Sequence, residues 1–380
     1  MRSKNIIALV CVTLWMLSMV ACTPSNTPSA SPTDASGATF LPTEPSDMTE
    51  VTVPSEPITK PTEDIVLPGV EPEFPQTYTL TFVGDCTLGT MPEWKTYGGC
   101  FDKVIGSNYD LPFHNIRHYF ESDDCTFINF EGVLADGGIP EEKRFTFIGP
   151  TDHVSILTGS SVEVANLANN HSYDFGIEGY QSTTKTLRDN GVTYIENAKT
   201  ALYTTNSGLK IGMYGMSFSL NTDNMRKDVQ LLKDAGADVI VAAVHWGIER
   251  DYIHNETQTS IAHKLIDAGV NIVWGHHPHV LQPIEIYNDG IIYYSTGNFS
   301  FGGNHNPFDK DTAIFQQTIT KDLDGTITIG KLNVIPCRLS SVEEHNDFQP
   351  IPYNTDNPGF ARVLQKLNWG IPIEDTQDAH

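Results

Sequence analysis

The strongest constraint on the fold is a series of short apolar segments, each of which ends at a polar residue or a glycine. Seven segments have the length and composition of β-strands: residues 78–83, 125–130, 162–167, 211–214, 239–244, 270–274 and 291–294. Helical periodicity lies between several of them, at residues 179–190, 224–235 and 257–268, and a glycine follows each of these helices. Alternating strands and helices predict an α/β domain.

The polar residues at these strand ends are of types that bind metal ions. In chain order, they are Asp85, Glu131, Asn170, His171, His245, His277 and His279. Because sites in open α/β sheets assemble at the carboxyl ends of the strands, we expect these side chains to meet. Carboxylates, an amide and imidazoles suit a pair of divalent first-row ions such as Mn²⁺, Fe²⁺ or Zn²⁺, and one carboxylate can bridge the two ions.

The densest group of candidate ligands is Gly-His-His-Pro-His at residues 275–279. This run directly follows a predicted strand, and neutral imidazole is the commonest metal ligand in proteins. His277 and His279 already form a His-x-His pattern, so the predicted ligand set leaves His276 out.

The first 76 residues have the features of export and tethering. Two basic residues precede a 15-residue apolar run at 6–20, which is short for a membrane span and suited to a signal peptide. Small residues before Cys22 resemble a lipobox, which predicts a lipoprotein signal peptide at 1–21 and a lipid on Cys22. The alternative is a plain secretory signal. Residues 22–76 are rich in Thr, Ser, Pro and Glu and predict a disordered tether. We therefore expect an extracytoplasmic protein that is lipid-anchored to the bacterial cell membrane.

Residues 77–350 are long enough for one large α/β domain, and residues 351–380 are assigned to a C-terminal tail. The formal net charge is −24. The signal peptide carries two basic residues and the tether carries nine acids against one lysine, so about −18 remains on the domain and tail. This charge argues against nucleic acid as a partner, because phosphate binding needs a basic face. The four cysteines after the tether allow three disulfide pairings, among which the sequence does not choose.

Five short runs carry a family resemblance. They are Phe-Val-Gly-Asp at 82–85, Asn-Phe-Glu at 129–131, Asn-Asn-His at 169–171, His-Trp-Gly at 245–247 and Gly-His-His-Pro-His-Val-Leu-Gln at 275–282. Together they resemble the CapA proteins, which are associated with bacterial poly-γ-glutamate capsule synthesis and form a branch of the calcineurin-like metallophosphatase superfamily. The resemblance extends from about residue 78 to residue 336. It implies a calcineurin-like sandwich in which two mixed sheets are flanked by helices.

The resemblance implies a ligand set for the first of two divalent ions. Asp85 matches the aspartate of the first superfamily motif, and His279 would join it. Glu131 stands where the superfamily has its bridging aspartate, so Glu131 would bridge the ions. Phosphatases of this superfamily usually carry Asp-x-His in the first motif, whereas this chain has Thr87 at the third position. The second motif also departs from the usual pattern, and both changes bear on whether the protein turns over a phosphoester.

The resemblance implies that Asn170, His245 and His277 bind the second ion. His171 would act as general acid toward the leaving group or stabilise charge in the transition state.

Three further residues are candidates for orienting the ligands. Asp174 would orient His171 or cap the following helix. Glu249 would fix an imidazole or remain a solvated acid, and Asn129 lies in the same run as Glu131.

The sequence leaves three functions open. The first is metal-dependent hydrolysis of a phosphoester or related bond, in the synthesis or attachment of poly-γ-glutamate or another envelope polymer. Its substrate would be the polymer or a precursor. The second is a non-catalytic envelope factor that binds the polymer or a membrane synthase. The third is a hydrolase or transferase that acts on γ-glutamyl amide bonds, because a two-metal site also polarises carbonyl groups.

Overall fold

The computed structural model describes residues 74–369. The predicted signal peptide at 1–21, the lipidation site Cys22 and nearly all of the predicted tether lie outside the described residues. Within residues 74–369, the strands are β1 (Gln76–Thr87), β2 (Cys125–Phe130), β3 (Val133–Leu134), β4 (Ile148–Gly149), β5 (Val164–Asn166), β6 (Thr193–Ile195), β7 (Thr200–Thr204), β8 (Lys210–Ser217), β9 (Val239–His245), β10 (Ile272–His276), β11 (Ile284–Tyr287), β12 (Gly290–Tyr293), β13 (Asn298–Phe301), β14 (Asp311–Lys321), β15 (Ile327–Arg338) and β16 (Ile351–Pro352). The helices are α1 (Phe101–Ile105), α2 (Arg117–Phe120), α3 (Val154–Thr158), α4 (Gly176–Asp189), α5 (Thr222–Asp234), α6 (Glu256–Ala268) and α7 (Pro358–Leu367).

The strands form two large mixed sheets. The first sheet has the order β16-β15-β14-β1-β2-β5-β6, with β13 also paired to β1. Its β1, β2, β5 and β6 are parallel, and β14 joins β1 antiparallel. The second sheet has the order β11-β12-β10-β9-β8-β7, with antiparallel strands at both edges. The predicted α/β class and the two mixed sheets are therefore confirmed.

The two sheets pack face to face through an aromatic core. Phe82 of β1 stacks on Phe127 of β2 with ring centroids 4.7 Å apart, and Trp274 of β10 lies 5.6 Å from Phe82. Trp274 Nε1 donates a hydrogen bond to the Val83 carbonyl at 3.1 Å, which joins the second sheet to the first. Side chains that alternate along β10 face opposite ways, so Val273 packs instead against the helices on the outer face.

Helices cover the outer faces of both sheets. Apolar residues of α5 and α6, among them Val229 and Leu265, pack on the second sheet. Residues of α1 to α4, among them Phe101 and Leu187, pack on the first. Gly269 ends α6, as the glycine after this predicted helix indicated. It takes φ 107°, a left-handed conformation that favours glycine. Helices flanking two sheets are the arrangement that the family resemblance implied.

The C-terminal boundary predicted at residue 350 needs correction. Strand β16 pairs with β15 through Cys337 and Pro352, so the first sheet continues past residue 350. Val363 and Leu367 of α7 are fully buried in the core between the sheets. The reason lies in the long β14–β15 hairpin, which the sequence analysis did not identify and which provides the surface for α7. Residues 351–369 therefore belong to the domain.

The cysteines after the tether, Cys86, Cys100, Cys125 and Cys337, are all buried free thiols. Within residues 74–369, no helix has the length and apolar character needed to cross a membrane.

Candidate metal centre

The candidate ligands lie at the carboxyl ends of strands from both sheets. Asp85 is in β1, Glu131 directly follows β2, and His171 follows β5 in the first sheet. His245 ends β9 in the second sheet. The run 276–279 begins at the end of β10, and the backbones of His276 and His245 are in register. One cluster thus combines the carboxylates of one sheet with imidazoles of the other.

The carboxylates and imidazoles approach to distances that a metal ion would bridge. Ligand atoms of Asp85, Glu131 and His279 all lie within 4.8 Å of one another. His279 Nδ1 is 3.1 Å from Asp85 Oδ2 and 4.0 Å from Glu131 Oε2. His245 Nε2 is 3.7 Å from the other carboxylate oxygen, Glu131 Oε1. Glu131 therefore faces a different imidazole with each oxygen, as a carboxylate between two ions would.

The residues present fit divalent ions, because many of their buried polar atoms have no hydrogen-bond partner within the protein. The unpartnered atoms of this cluster are Asp85 Oδ2, both carboxylate oxygens of Glu131, both ring nitrogens of His245, His276 Nε2 and His277 Nδ1. Leaving buried polar atoms unsatisfied costs roughly 1–3 kcal/mol each. So many in one place indicate that a ligand from outside the chain satisfies them.

The protonation states of His245 and His277 also suit metal binding. Burial, together with the neighbouring His277, holds the pKa of His245 well below its usual value. Burial and the charge of His279 lower the pKa of His277 to about 4. Both rings are therefore neutral at physiological pH, which leaves a lone pair on each for a metal ion.

The pKa values of the two carboxylates, Glu131 and Asp85, shift in opposite directions. Burial, and then the nearby charge of Asp85, raises the pKa of Glu131 well above its ordinary value. Burial would also raise the pKa of Asp85, but the hydrogen bond to His276 and the nearby charge of His279 outweigh it and lower that pKa. Burial opposes a charge on His279, yet the charges of Glu131 and Asp85 raise its pKa to about 9. The cluster therefore attracts positive charge.

A strained turn directs the histidines of 276–279 into the site. His277 has φ 93° and His279 has φ 56°, and both values lie in the left-handed region that non-glycine residues rarely adopt. Such backbone costs on the order of 1–3 kcal/mol per residue and concentrates at functional sites. The turn is held from outside by Asn298, whose Oδ1 lies 2.9 Å from His279 Nδ1 and whose Nδ2 donates to the His279 carbonyl at 3.2 Å.

A network of side-chain amides holds the Asp85 carboxylate in place. Asn129 Nδ2 donates to Asp85 Oδ1 at 2.8 Å. Asn129 Oδ1 in turn accepts from Asn166 at 2.9 Å and from Asn169 at 3.2 Å. Asn129 thus orients a carboxylate, which is the kind of role that the sequence analysis gave it.

His276 was left out of the predicted ligands, and the structure places it inside the cluster. The ring is fully buried, and its Nδ1 lies 2.9 Å from Asp85 Oδ1. Strand periodicity carried a signal for this position. His276 lies two residues after Trp274 on β10, so both side chains point toward the first sheet.

His171 is held by a carboxylate and faces Glu131. Its Nδ1 lies 2.8 Å from Asp174 Oδ2, and its Nε2 lies 4.0 Å from Glu131 Oε1. Burial lowers the pKa of His171, while Asp174 acts in the opposite direction. Lys143 forms an ion pair with Asp174, and the Phe147 amide donates to Asp174 Oδ2 at 2.6 Å. Asp174 thus contacts the His171 ring, and no side-chain hydrogen bond caps the start of α4.

Two predicted residues differ in position from the rest. Asn170 is exposed, and its backbone carbonyl accepts a hydrogen bond from Lys143 at 2.7 Å. The structure does not bring the Asn170 amide into the network of side-chain hydrogen bonds that holds Asp85. Glu249 is also exposed, yet its carboxylate lies within 4.8 Å of ring nitrogens of His277 and His279.

A cavity of about 140 Å³ opens beside the cluster. His171 and His279 line it. Its walls are aromatic and comprise Trp94, Phe145, Phe147, Phe301 and Phe308. Glu249 and Arg250 also line it, so a bound molecule would meet the metal ligands, apolar rings and one cation together.

The sequence and the fold were compared with known proteins. The sequence matches the model of the family "Bacterial capsule synthesis protein PGA_cap" over residues 79–303. It is 28% identical over 290 residues to the capsule biosynthesis protein CapA of Bacillus anthracis, with 67% of each chain covered. It is 28% identical over 325 residues to the PGA biosynthesis protein CapA of Bacillus subtilis, with 78% of this chain and 80% of that protein covered.

Among solved structures, the NAD nucleotidase of Haemophilus influenzae has a weak likeness, with a TM-score of 0.41 and 11% identity over 77% of this chain and 63% of that one. The family match carries the assignment, because it spans more than half of the chain and includes Asp85, Glu131, His171, His245 and the run 275–279. The resemblance to CapA proteins is thereby confirmed, and this chain belongs to the bacterial capsule synthesis protein family PGA_cap.

Proposed function

We propose that this protein hydrolyses a phosphoester or a related bond at a dinuclear metal site, in the synthesis or attachment of poly-γ-glutamate or another envelope polymer. The observation that carries the proposal is the buried cluster of Asp85, Glu131, His245, His277 and His279. Its unpartnered oxygen and nitrogen atoms are buried next to a cavity that His171 and His279 line. The names of the two CapA relatives support the polymer context.

The chemistry divides between the metals and the chain. Two bound divalent ions would polarise a phosphoryl oxygen and acidify a water molecule. Glu131 would hold the ions at a fixed separation, and Asp85 would keep one of them in place. His171 would deliver a proton from Nε2 to the leaving group. Asp174 supports this role, because its hydrogen bond with Nδ1 sets the ring orientation and stabilises the imidazolium.

The charge of the chain bears on the substrate. A domain of strongly negative charge repels a polyanion unless cations lie between them. The aromatic walls of the cavity favour a molecule with an apolar part next to its reacting group. We therefore propose a small phosphorylated or lipid-linked precursor as the substrate. A lipid on Cys22 would keep the enzyme at the outer face of the cell membrane, close to lipid-linked precursors.

The test is turnover of phenyl phosphate and diphenyl phosphate by the full chain with added Mn²⁺, because phenolate is a poor leaving group whose departure needs a proton. We expect hydrolysis that falls about 10²–10⁴-fold in His171→Ala, the range typical of a lost general acid. A wild-type rate equal to that of His171→Ala would overturn the proposal. Parallel incubation with poly-γ-glutamate distinguishes phosphoester hydrolysis from cleavage of γ-glutamyl amide bonds, because only a γ-glutamyl hydrolase shortens the polymer.

A second candidate function rests on Thr87. The superfamily's usual histidine is absent at this position, and the Thr87 hydroxyl is buried without a hydrogen-bond partner. A first ion with fewer ligands favours a non-catalytic factor that binds the polymer or a membrane synthase. Metal binding without hydrolysis of either phosphoester would select this function.

A further inference from the structure

We infer that Glu249 is a direct metal ligand, and that it supplies the donor which position 87 lacks. The inference rests on the proposed metal site and adds a residue to it. Sequence analysis offered Glu249 only as a residue that orients an imidazole or as a solvated acid.

The geometry places the Glu249 carboxylate in a donor set of its own. Ligand atoms of Glu249, His277 and His279 lie within 4.8 Å of one another. The separate group of Asp85, Glu131 and His279 meets the same limit. The two groups share His279, so Glu249 and the two buried carboxylates approach the same imidazole.

The distances between the ligand atoms of Glu249, His277 and His279 are compatible with an ion that would draw these side chains closer together. Metal–ligand bonds of roughly 2.0–2.2 Å put neighbouring donor atoms about 3–3.5 Å apart. Glu249 is exposed and its side chain is free to move inward by the small remaining distance. A second observation points to a ligand at this place: the buried His277 Nδ1 has no hydrogen-bond partner.

Backbone contacts hold Glu249 beside the histidine turn. The Trp246 amide donates to the His276 carbonyl at 3.1 Å, and the Arg250 amide donates to the Pro278 carbonyl at 2.8 Å. These two bonds bracket Glu249 and tie its loop to both ends of the run 276–278. Arg250 takes φ 65°, a left-handed conformation, so the loop is held in a strained shape that keeps Glu249 over the site.

Within the described part of the chain, the Glu249 carboxylate pairs with no cationic side chain. Among residues 74–369, no salt bridge or side-chain hydrogen bond includes Glu249. The neighbouring Arg250 guanidinium lies over the Phe308 ring at 5.2 Å instead. A solvated acid could sit anywhere on the surface, whereas this one lies within reach of two imidazoles that face a metal site.

The negative charge of Glu249 would help to balance the charge of the metal ions. Two divalent ions carry four positive charges, and Asp85 and Glu131 offset only two of them. The imidazoles are neutral ligands, so replacing the usual histidine by Thr87 and adding Glu249 exchanges a neutral donor for an anionic one. Carboxylate oxygen is a donor that suits Mn²⁺, so Mn²⁺ is an appropriate ion with which to test this ligand set.

The experiment is a titration of the metal-stripped full chain with Mn²⁺, followed by the electron paramagnetic resonance signal of the free ion. The variants are Glu249→Gln, which removes the charge and keeps the shape, and Glu249→Asp, which keeps the charge on a shorter side chain. Glu344→Gln is the matched control, because Glu344 is an exposed acid outside the site. Circular dichroism verifies that each variant is folded.

We expect the wild-type chain and Glu344→Gln to bind two Mn²⁺ ions. Glu249→Gln should hold one of them at least about tenfold more weakly, and Glu249→Asp should lie between, since even residues behind the ligands alter metal affinity about 10–100-fold. Two sites of unchanged affinity in Glu249→Gln would overturn the inference and leave the proposed function standing. A wild-type chain that binds no Mn²⁺ would overturn both.

Discussion

His276 Nδ1 lies 2.9 Å from Asp85 Oδ1, and both side chains are fully buried. This contact crosses from the second sheet to the first at the centre of the metal cluster. Together with the amide of Asn129 at 2.8 Å, it occupies Asp85 Oδ1 and leaves Oδ2 for other partners. Asp85 is therefore positioned by two residues, one from each sheet.

Removing this support should weaken metal binding without removing a predicted ligand. We expect His276→Ala and Asn129→Ala each to lower metal affinity about 10–100-fold, because both leave Asp85 free to turn. His345→Ala, at an exposed position, serves as the control. Calorimetric titration with Mn²⁺ measures the effect, and affinities equal to that of the control would contradict the role assigned to His276 and Asn129.

Removing the ligands should have a larger effect. Asp85→Ala, Asn170→Ala and His277→Ala are each expected to reduce the metal content of the purified full chain, as measured by elemental analysis. Asn170 is the most informative of the three, because its side chain is exposed in the structure. Full occupancy in Asn170→Ala would remove Asn170 from the ligand set, and full occupancy in all three would mean that the site lies elsewhere.

His171 and Asp174 should act on turnover and leave metal content unchanged. Asp174→Asn keeps the shape of the side chain but removes the charge that stabilises a protonated His171. We expect a smaller fall in kcat for Asp174→Asn than for His171→Ala, whose loss should be about 10²–10⁴-fold. Steady-state hydrolysis of diphenyl phosphate, whose leaving group needs a proton, provides the rates. A variant that loses its metal would indicate a structural role instead.

Asp311 anchors α7 through ion pairs, which predicts a pH-dependent stability. It accepts hydrogen bonds from Arg362 Nε at 2.6 Å and Lys366 Nζ at 2.7 Å. Burial would raise the pKa of Asp311, but these bonds outweigh it and lower the pKa below the ordinary value of 3.8. The stabilisation is therefore complete above about pH 4, the unfolded value, and is lost as the pH falls through the lower folded value.

Asp311→Asn is expected to lose about 1.5–3 kcal/mol of unfolding free energy at pH 7, the value of hydrogen bonds to charged groups. The wild type and the variant should converge at acidic pH, where the wild-type carboxyl is protonated. Urea unfolding followed by tryptophan fluorescence at both pH values tests this. A constant difference between the two proteins across the pH range would contradict it.

Gly275 marks a place where two backbones touch. A Cβ atom there would lie 2.2 Å from the Tyr294 carbonyl oxygen and 2.8 Å from Trp246 Nε1. We expect Gly275→Ala to destabilise the fold by roughly 3 kcal/mol or more, because strands must separate. Gly98→Ala is the control, since a Cβ atom at Gly98 meets nothing within 4 Å. Equal thermal midpoints would show that the strands have more room than the structure gives them.

The sequence predicted the elements that build the site better than those that surround it. Strands β2 and β9 begin and end within one residue of their predicted bounds, because continuous apolar runs stop sharply at polar residues. Helix α6 was predicted to within one residue, because Gly269 ends it. The convergence of Asp85, Glu131 and His279 followed from the rule that parallel strands present their carboxyl ends at one edge.

Other features could not be predicted, for physical reasons. Strand β15 has mostly half-buried and exposed residues, so its apolar alternation is weak. Helix α7 is ten residues long, and its stability comes from packing on β14 and β15. The closeness of Glu249 to His277 depends on two backbone hydrogen bonds between distant loops, which no local pattern reveals.

The division of metal-ligand residues between the two sheets has a consequence for how the protein assembles. The carboxylates come from β1 and β2 and most of the imidazoles from β9 and β10, so neither half can capture ions before the halves have docked. Ion binding would then follow the docking of the two sheets: at a hundredfold excess over the Kd, each ion would add about 2.7 kcal/mol to the stability of the assembled state. Chains deprived of such ions would open more often and would be more exposed to proteolysis.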